Sequence, residues 1–381
     1  MTKVLFLTAS YPVPEQPLLG VFVKEHARAA ARHCELAVLH LDRNDAARGL
    51  PSVTDVTGED WPTVRARYPS SPAPLSYAGN LAGAVAGYRR LRAQGFVPDL
   101  IHAHFFLAGV AALVLGRAQR KPVVLTEQWS VFLPDDPAKL SPLMRQIARA
   151  TFANVDVVLP VSRALRDGIR ALGVSADFRV VPNVVDVEQF HPTPTARRNG
   201  STPTLIGVGG LYHAKGWEFL LEAVALLARK GRDFHLDIVG DGELRERYEQ
   251  LAERLAVSDR VTFHGWLPKD DVARRVREAD VFVTTSRYDS NPCAVIEALS
   301  SGVPVVGTAV GGIPDMISDG MGLLAAPGNP ASIAEQLRTA LDDRESWDRD
   351  AIARTAGERY GAEHVGAELA AVYDEVIARR R

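Results

Sequence analysis

At 381 residues, with 46% apolar and 24% charged residues, the chain has the composition of a globular protein long enough for two domains. A formal charge of -2 leaves no basic stripe and argues against sequence-independent nucleic-acid binding. The two cysteines, Cys34 and Cys293, stand far apart and outside any C-x-x-C spacing, which excludes a disulfide framework and a zinc knuckle and fits a reducing cytosol.

In chain order, MTKVLFLTAS is too short for a signal-peptide core or a membrane span and reads as a first buried strand. Strands are then expected at ELAVLHL, PDLIHAHF, KPVVLTE, VDVVLPVS and FRVVPN, with helices between most of them. The polar, proline-rich residues 43–78 read as a long surface loop, and residues 191–203, HPTPTARRNGSTP, as a linker. The rhythm restarts at TPTLIGVG and continues through FHLDIVGDG, RVTFHGW, DVFVTTS and GVPVVGTA. This pattern predicts an α/β protein of two doubly wound, Rossmann-like domains, 1–190 and 204–360, with no sequence repeat between them. A ligand is expected in a cleft at the carboxyl ends of both sheets.

Gly20, in PLLGVFVKEHARAAA, begins a helix and can present its N–H to an anion; a plain turn glycine would look the same. His102 and His104 end the strand in DLIHAHFF and, at i and i+2, point the same way. A metal pair would need a third ligand that no nearby residue offers, which leaves a structural role or contact with an acceptor. Arg145 and Arg149, in PLMRQIARATF, are either solvated or a weak contact to an anionic membrane surface. In VGGLYHAKGWEFLLEAV, two glycines allow close backbone approach and Lys215 opens a helix where it can reach a phosphate. Tyr212 stands where a dinucleotide fingerprint would need glycine, which argues against a nicotinamide cofactor.

YDSNPCAVIEALSSGVPVV, residues 288–306, carries two acids at the ends of one short helix. Asn291 is expected as N-cap, Pro292 as first helical residue, and Gly302 with Pro304 as the stop. Glu297 then lies roughly 8 Å along the axis from the helix start, and Asp289 just before it. The helix start suits a phosphate, so the acids should meet neutral hydroxyls on either side of it. A nucleotide-diphosphate sugar has that layout, with Asp289 on the hexose and Glu297 on the ribose. Capping and a solvated helix position are the plain alternatives; the apolar surroundings of Glu297 argue against the second. Cys293 near the helix start would be a nucleophile only with a His-acid relay, and none is identifiable.

Together the Lys215-Gly216 turn, the Asp289-x7-Glu297 spacing with ALSSGVPVVGTAVGGIPD after it, VVPNVVDVEQFHP and IVGDGELRERYEQLA resemble the retaining glycosyltransferases of family 4 (GT4), which have the GT-B fold. The resemblance covers nearly the whole chain and is strongest over 155–330. It implies a nucleotide-sugar donor, UDP-linked, held mainly by the C-terminal domain, and a hydroxyl acceptor held mainly by the N-terminal one. It also implies no essential metal, no cofactor beyond the co-substrate, and a last helix within 361–381 that crosses back onto the N-terminal domain.

Carried onto this sequence, the resemblance gives catalytic roles to Lys215, Asp289 and His104. Donor contacts fall to Gly20, Gly210 and Lys215, to the base-binding wall of Gly240, Gly242, Gly265 and Leu267, and to Asp289, Asn291, Pro292, Cys293, Ala294, Val295 and Glu297. Acceptor contacts fall to His102, His104, Gln128 and Trp129. The family usually has Glu where Asp289 stands, Arg at Gly210 and His at Gln128. A small-molecule aglycone, a lipid-linked sugar and a glycan end all remain open as acceptor. The rival readings are an epimerase or hydrolase on the same fold and a nucleotide-sugar-binding protein without turnover.

Overall fold

Strand β1 (Lys3–Thr8) buries five of its six residues, as a parallel strand covered on both faces requires. In the computed structural model, which describes every residue except 46, 48, 71–74, 194–201 and 381, β1 is the central strand of the first of two sheets. Helix α1 (Val21–Ala31) follows, entered through Gly20 at φ 67°, where a Cβ would lie 2.3 Å from the Ser10 carbonyl oxygen. Only glycine fits there. Next come β2 (Glu35–Asn44), β3 (Ser52–Val56), β4 (Thr63–Pro69), α2 (Leu75–Ala93), β5 (Leu100–His104), α3 (Phe106–Gln119), β6 (Val123–Glu127), α4 (Pro142–Asn154), β7 (Val157–Pro160) and α5 (Arg163–Arg170). The sheet order is β3-β4-β2-β1-β5-β6-β7, parallel except for β3 against β4.

The second sheet is parallel throughout, in the order β10-β9-β8-β11-β12-β13. Its elements are β8 (Thr204–Val208), α6 (Trp217–Arg229), β9 (His235–Val239), α7 (Arg245–Arg254), β10 (Val261–Gly265), α8 (Lys269–Glu278), β11 (Val281–Thr284), α9 (Cys293–Ser300), β12 (Val305–Thr308), α10 (Ile313–Met316), β13 (Gly322–Ala325), α11 (Pro330–Asp342) and α12 (Arg349–Tyr360). The last helix, α13 (Ala362–Ala378), packs on α1 of the first unit, where Val365, Leu369, Val372, Tyr373 and Val376 are buried. Burying such side chains stabilises by roughly 1.5–3 kcal/mol each for the aliphatic ones, which is ample to fasten a chain end.

Two compact units result: Met1–Phe132 with Ala138–Val184 and Ala362–Arg381, and Val185–Gly361 with Leu133–Pro137. The boundary at Val184 precedes the expected linker, most of which lies outside the described residues. Within the stretch expected as a surface loop, 43–78, β3 and β4 form a hairpin whose second strand extends the sheet beyond β2. FRVVPN forms no strand: Phe178 makes one bridge to Val158, and Val181, its side chain buried in the core, donates its N–H to the Pro160 carbonyl at 3.2 Å. Strand β13 was not foreseen.

Candidate functional site

In the second unit the carboxyl ends of β8, β11 and β12 gather Lys215, Asp289 and the start of α9. Lys215 closes a short 3-10 turn, His213–Lys215, and its Nζ donates to Asp289 Oδ2 at 2.6 Å. Burial works to lower the pKa of this ammonium, but the charge and hydrogen bond of Asp289 outweigh it and hold Lys215 above its ordinary value. The β11–α9 loop is pinned to the Lys215 turn by Arg287 N–H to the Ala214 carbonyl at 2.8 Å and Thr285 Oγ1 to the Gly216 carbonyl at 3.0 Å. Asp289 is fixed from the other side, its carbonyl accepting from Gly312 N–H at 2.9 Å.

Helix α9 starts one residue later than expected: Pro292 is its N-cap, at φ -65° and ψ 117°, and Asn291 is buried before it. Glu297 is half-buried on that helix. One donor expectation changes here. Val295 has its side chain in the core and its N–H donated to the Pro292 carbonyl at 3.0 Å, so neither is left for a ligand. Burial, with the charges of Glu297 and Asp289, pushes the Cys293 thiol up to about 12, so it is no lowered-pKa nucleophile. Ala294 is partly exposed beside it.

Gly210 accepts from Trp217 Nε1 at 2.9 Å, and a Cβ on it would lie 2.3 Å from the Tyr212 ring; the ring fills the space a longer residue would need. Gly240 and Gly265 bridge through Gly240 N–H to the Gly265 carbonyl at 2.8 Å. A Cβ on Gly240 would meet the Gly209 carbonyl oxygen at 2.0 Å, and one on Gly242 the Leu211 backbone at 2.8 Å, so the loops after β8, β9 and β10 touch backbone to backbone. Leu267 packs against the core beside them. Sequence reading missed the brace of the β10 end, where His264 Nε2 and Asp237 Oδ1 lie 2.6 Å apart.

In the first unit the expected acceptor histidines are enclosed. His102 and His104 are both 0% exposed. One His102 ring nitrogen lies 2.7 Å from Tyr373 Oη on α13 and the other 2.7 Å from Thr126 Oγ1. That occupies both nitrogens and corrects the acceptor role expected of it. His104 stacks on His102 at 4.6 Å and its nitrogens have no partner among the described residues; full burial likewise corrects its expected contact with substrate. The described residues hold no group of three His, Cys, Asp or Glu suited to a metal.

Gln128 donates to His26 Nδ1 at 3.1 Å and to Asn183 Oδ1 at 3.0 Å, while His26 Nε2 donates to the Pro182 carbonyl at 2.9 Å. Glu127 is the residue sequence reading overlooked, although an acid ending the apolar run KPVVLTE was the signal. Fully buried, it accepts N–H bonds from Phe106 at 2.9 Å, Gln128 at 3.0 Å and Trp129 at 2.9 Å. Burial raises its pKa to about 7 against those three donors. Next to it Phe105 sits at φ 69°, a conformation that costs a non-glycine residue about 1–3 kcal/mol and that local contacts must impose. Trp129 is 40% exposed.

No helix among the described residues is long and apolar enough to cross a membrane. A model of glycosyl transferases group 1 matches residues 194–358, and one of glycosyltransferase family 4 matches 19–189. A 2-deoxystreptamine glucosyltransferase of Streptomyces kanamyceticus is 27% identical over 84% of this chain and 81% of its own. Among solved structures, a sucrose-phosphate synthase from Thermosynechococcus elongatus superposes with a TM-score of 0.79 at 20% identity, covering 100% of both chains. Anabaena HepE in complex with UDP-glucose gives 0.74 at 20% identity, covering 98% of this chain and 100% of that one. At such identities the structural likeness establishes the fold, GT-B.

Proposed function

The chain belongs to the family 4, group 1 glycosyltransferases of GT-B fold, and from that premise we propose that it moves a hexose-type sugar from a UDP-linked donor to a hydroxyl acceptor, retaining the anomeric configuration and needing no metal ion. The observation that carries this reading is the Lys215–Asp289 pair at 2.6 Å before the start of α9. It joins a cation suited to a diphosphate leaving group with an acid suited to hexose hydroxyls.

On this reading Lys215 and the Cys293 and Ala294 N–H groups that open α9 stabilise the charge that develops on the departing diphosphate. Asp289 accepts from the hexose and Glu297 from the ribose. The UDP-linked donor is proposed from the likeness to HepE, a protein of the same fold solved with UDP-glucose. Free cysteines at 34 and 293 fit a cytosolic location. The test is a donor panel of UDP-, GDP- and ADP-sugars read by nucleotide release, followed by an acceptor screen with the winning donor and an NMR assignment of the product's anomeric centre. Retention with a UDP-sugar is expected. An inverted product, or no nucleotide release from any donor with any acceptor, overturns the reading.

A further inference from the structure

Trp129 is exposed where its chain neighbours are anchored. Its indole lies nearly parallel to the Phe106 ring, 12° between planes and 6.0 Å between centroids. Phe106 packs edge-on against Phe132 at 5.6 Å, and Phe132 against Phe152 at 5.3 Å, so aromatic rings back the indole in depth. The backbone that carries it is held by the Glu127 carboxylate, one oxygen accepting from both Gln128 and Trp129 N–H and the other from Phe106 N–H. The same carboxylate thus fixes the indole's own residue and the first residue of the helix that bears the supporting ring. The Gln128 amide, donating to His26 and Asn183, immobilises the loop a second time.

A rigid aromatic face with a negative quadrupole suits a ligand that presents polarised C–H groups in a plane and keeps its hydroxyls at the rim. A phosphate or carboxylate would be repelled by that face, and an open-chain polyol would lose conformational freedom on lying flat against it. We propose that Trp129 is the stacking platform for a saturated, polyhydroxylated six-membered ring of the acceptor, a pyranose or a cyclitol, and that Glu127 is the residue that positions it. The inference rests on the glycosyltransfer reading and names the class of acceptor that reading left open.

The test reads binding as well as turnover. Methyl hexopyranosides, myo-inositol and, as a ring-free control, sorbitol are measured by saturation-transfer NMR against wild type, Trp129→Phe, Trp129→Ala and Glu127→Gln, alongside titrations with UDP. Ring compounds should receive saturation through their C–H protons in wild type and Trp129→Phe, sorbitol should not, and Trp129→Ala should weaken ring binding at least tenfold more than UDP binding. Pyranosides and cyclitols are distinguished by which of them binds. Glu127→Gln should raise the KM of the ring acceptor severalfold with kcat within about twofold, a split that a general loss of fold would not produce; should it unfold, the Trp129 variants decide alone. The proposal is overturned if no ring compound binds wild type, if sorbitol binds as well as the rings, or if Trp129→Ala weakens UDP and ring equally. A protein that binds rings but releases no nucleotide from any donor would refute glycosyltransfer while upholding the platform.

Discussion

Lys215 and Asp289, 74 residues apart in the chain, meet at 2.6 Å through side chains that are each largely withdrawn from water. The pair keeps the ammonium charged where burial alone would work to discharge it. On the proposed reading, a diphosphate arriving at the start of α9 would compete with Asp289 for that ammonium and free the carboxylate to accept from a hexose hydroxyl.

Lys215→Ala should therefore lower turnover by about a hundredfold, the usual effect of removing a charge that faces a developing anion. It should also lower stability by about 1–3 kcal/mol, because Asp289 is left poorly solvated without its partner. The double variant Lys215→Ala/Asp289→Ala should recover much of the lost melting temperature and none of the activity. Thermal melts beside nucleotide release check both halves, and near-wild-type turnover in Lys215→Ala would remove the ammonium from the mechanism.

The two acids of the α9 segment should divide the donor. Glu297→Gln is expected to weaken the intact donor and free UDP alike, by roughly 1.5–3 kcal/mol for a lost charged hydrogen bond to ribose. Asp289→Asn should damage turnover and discrimination among donor sugars while sparing the affinity for UDP. Asp289→Glu should stay folded and shift sugar preference, since one methylene moves the carboxylate by about the length of a hydroxyl contact. Calorimetry with UDP and with the intact donor decides the matter; equal losses of UDP affinity in the Asn and Gln variants would refute the division.

Excess chelator should leave turnover intact. The acids Asp270 and Asp271 open α8 and serve its N-terminus, where a negative charge is favoured. Activity abolished by chelator and restored by manganese or magnesium would show that a metal takes the role given to Lys215 and the α9 first turn.

The parallel strands were legible because strands covered on both faces are continuous apolar runs, and β1, β2, β5, β6 and β7 all read that way. Strands β3 and β4 escaped because one is mostly exposed and the other hides charge: Arg65 is 8% exposed yet sits in the sheet, paired with Asp42 and Glu15. On the site, spacing set Asp289 just before one short helix and Glu297 on it, and the structure added that Lys215 reaches Asp289. For His102 and His104 the i, i+2 pattern gave a shared face but not which body covers it, and the covering residue Tyr373 comes from 271 positions away. Local pattern carries no information at that separation. Glu127 was hidden for a related reason, since its partners are backbone N–H groups, which leave no trace in residue type.

The buried histidines make stability depend on pH with a definite sign. Burial pushes His26 down to about 4, with the Pro182 carbonyl working the other way, and it pushes His40 down to about 4, with Asp42 opposing and Arg65 reinforcing. His102 and His104 lie well below the ordinary value for the same reason, each lowered further by its histidine neighbours. In the unfolded chain all four titrate near 6.5. As pH falls through 6.5 the unfolded state takes up protons that the folded state refuses, so stability present above 6.5 is lost on the way down to about 4. A single shift from 6.5 to about 4 corresponds to roughly 3 kcal/mol. Glu127 acts in the opposite sense, because its folded pKa of about 7 exceeds the ordinary carboxyl value of 4.5 and favours the folded state toward the acid end of that interval. One such carboxyl is outnumbered by four histidines, so the melting temperature of the first unit should fall steadily between pH 7 and pH 5. His104→Phe removes an imidazole that has no partner among the described residues and should flatten this slope. Melts of wild type and His104→Phe across that range test it, and a wild-type melting temperature independent of pH would mean that the histidine cluster admits protons in the folded state.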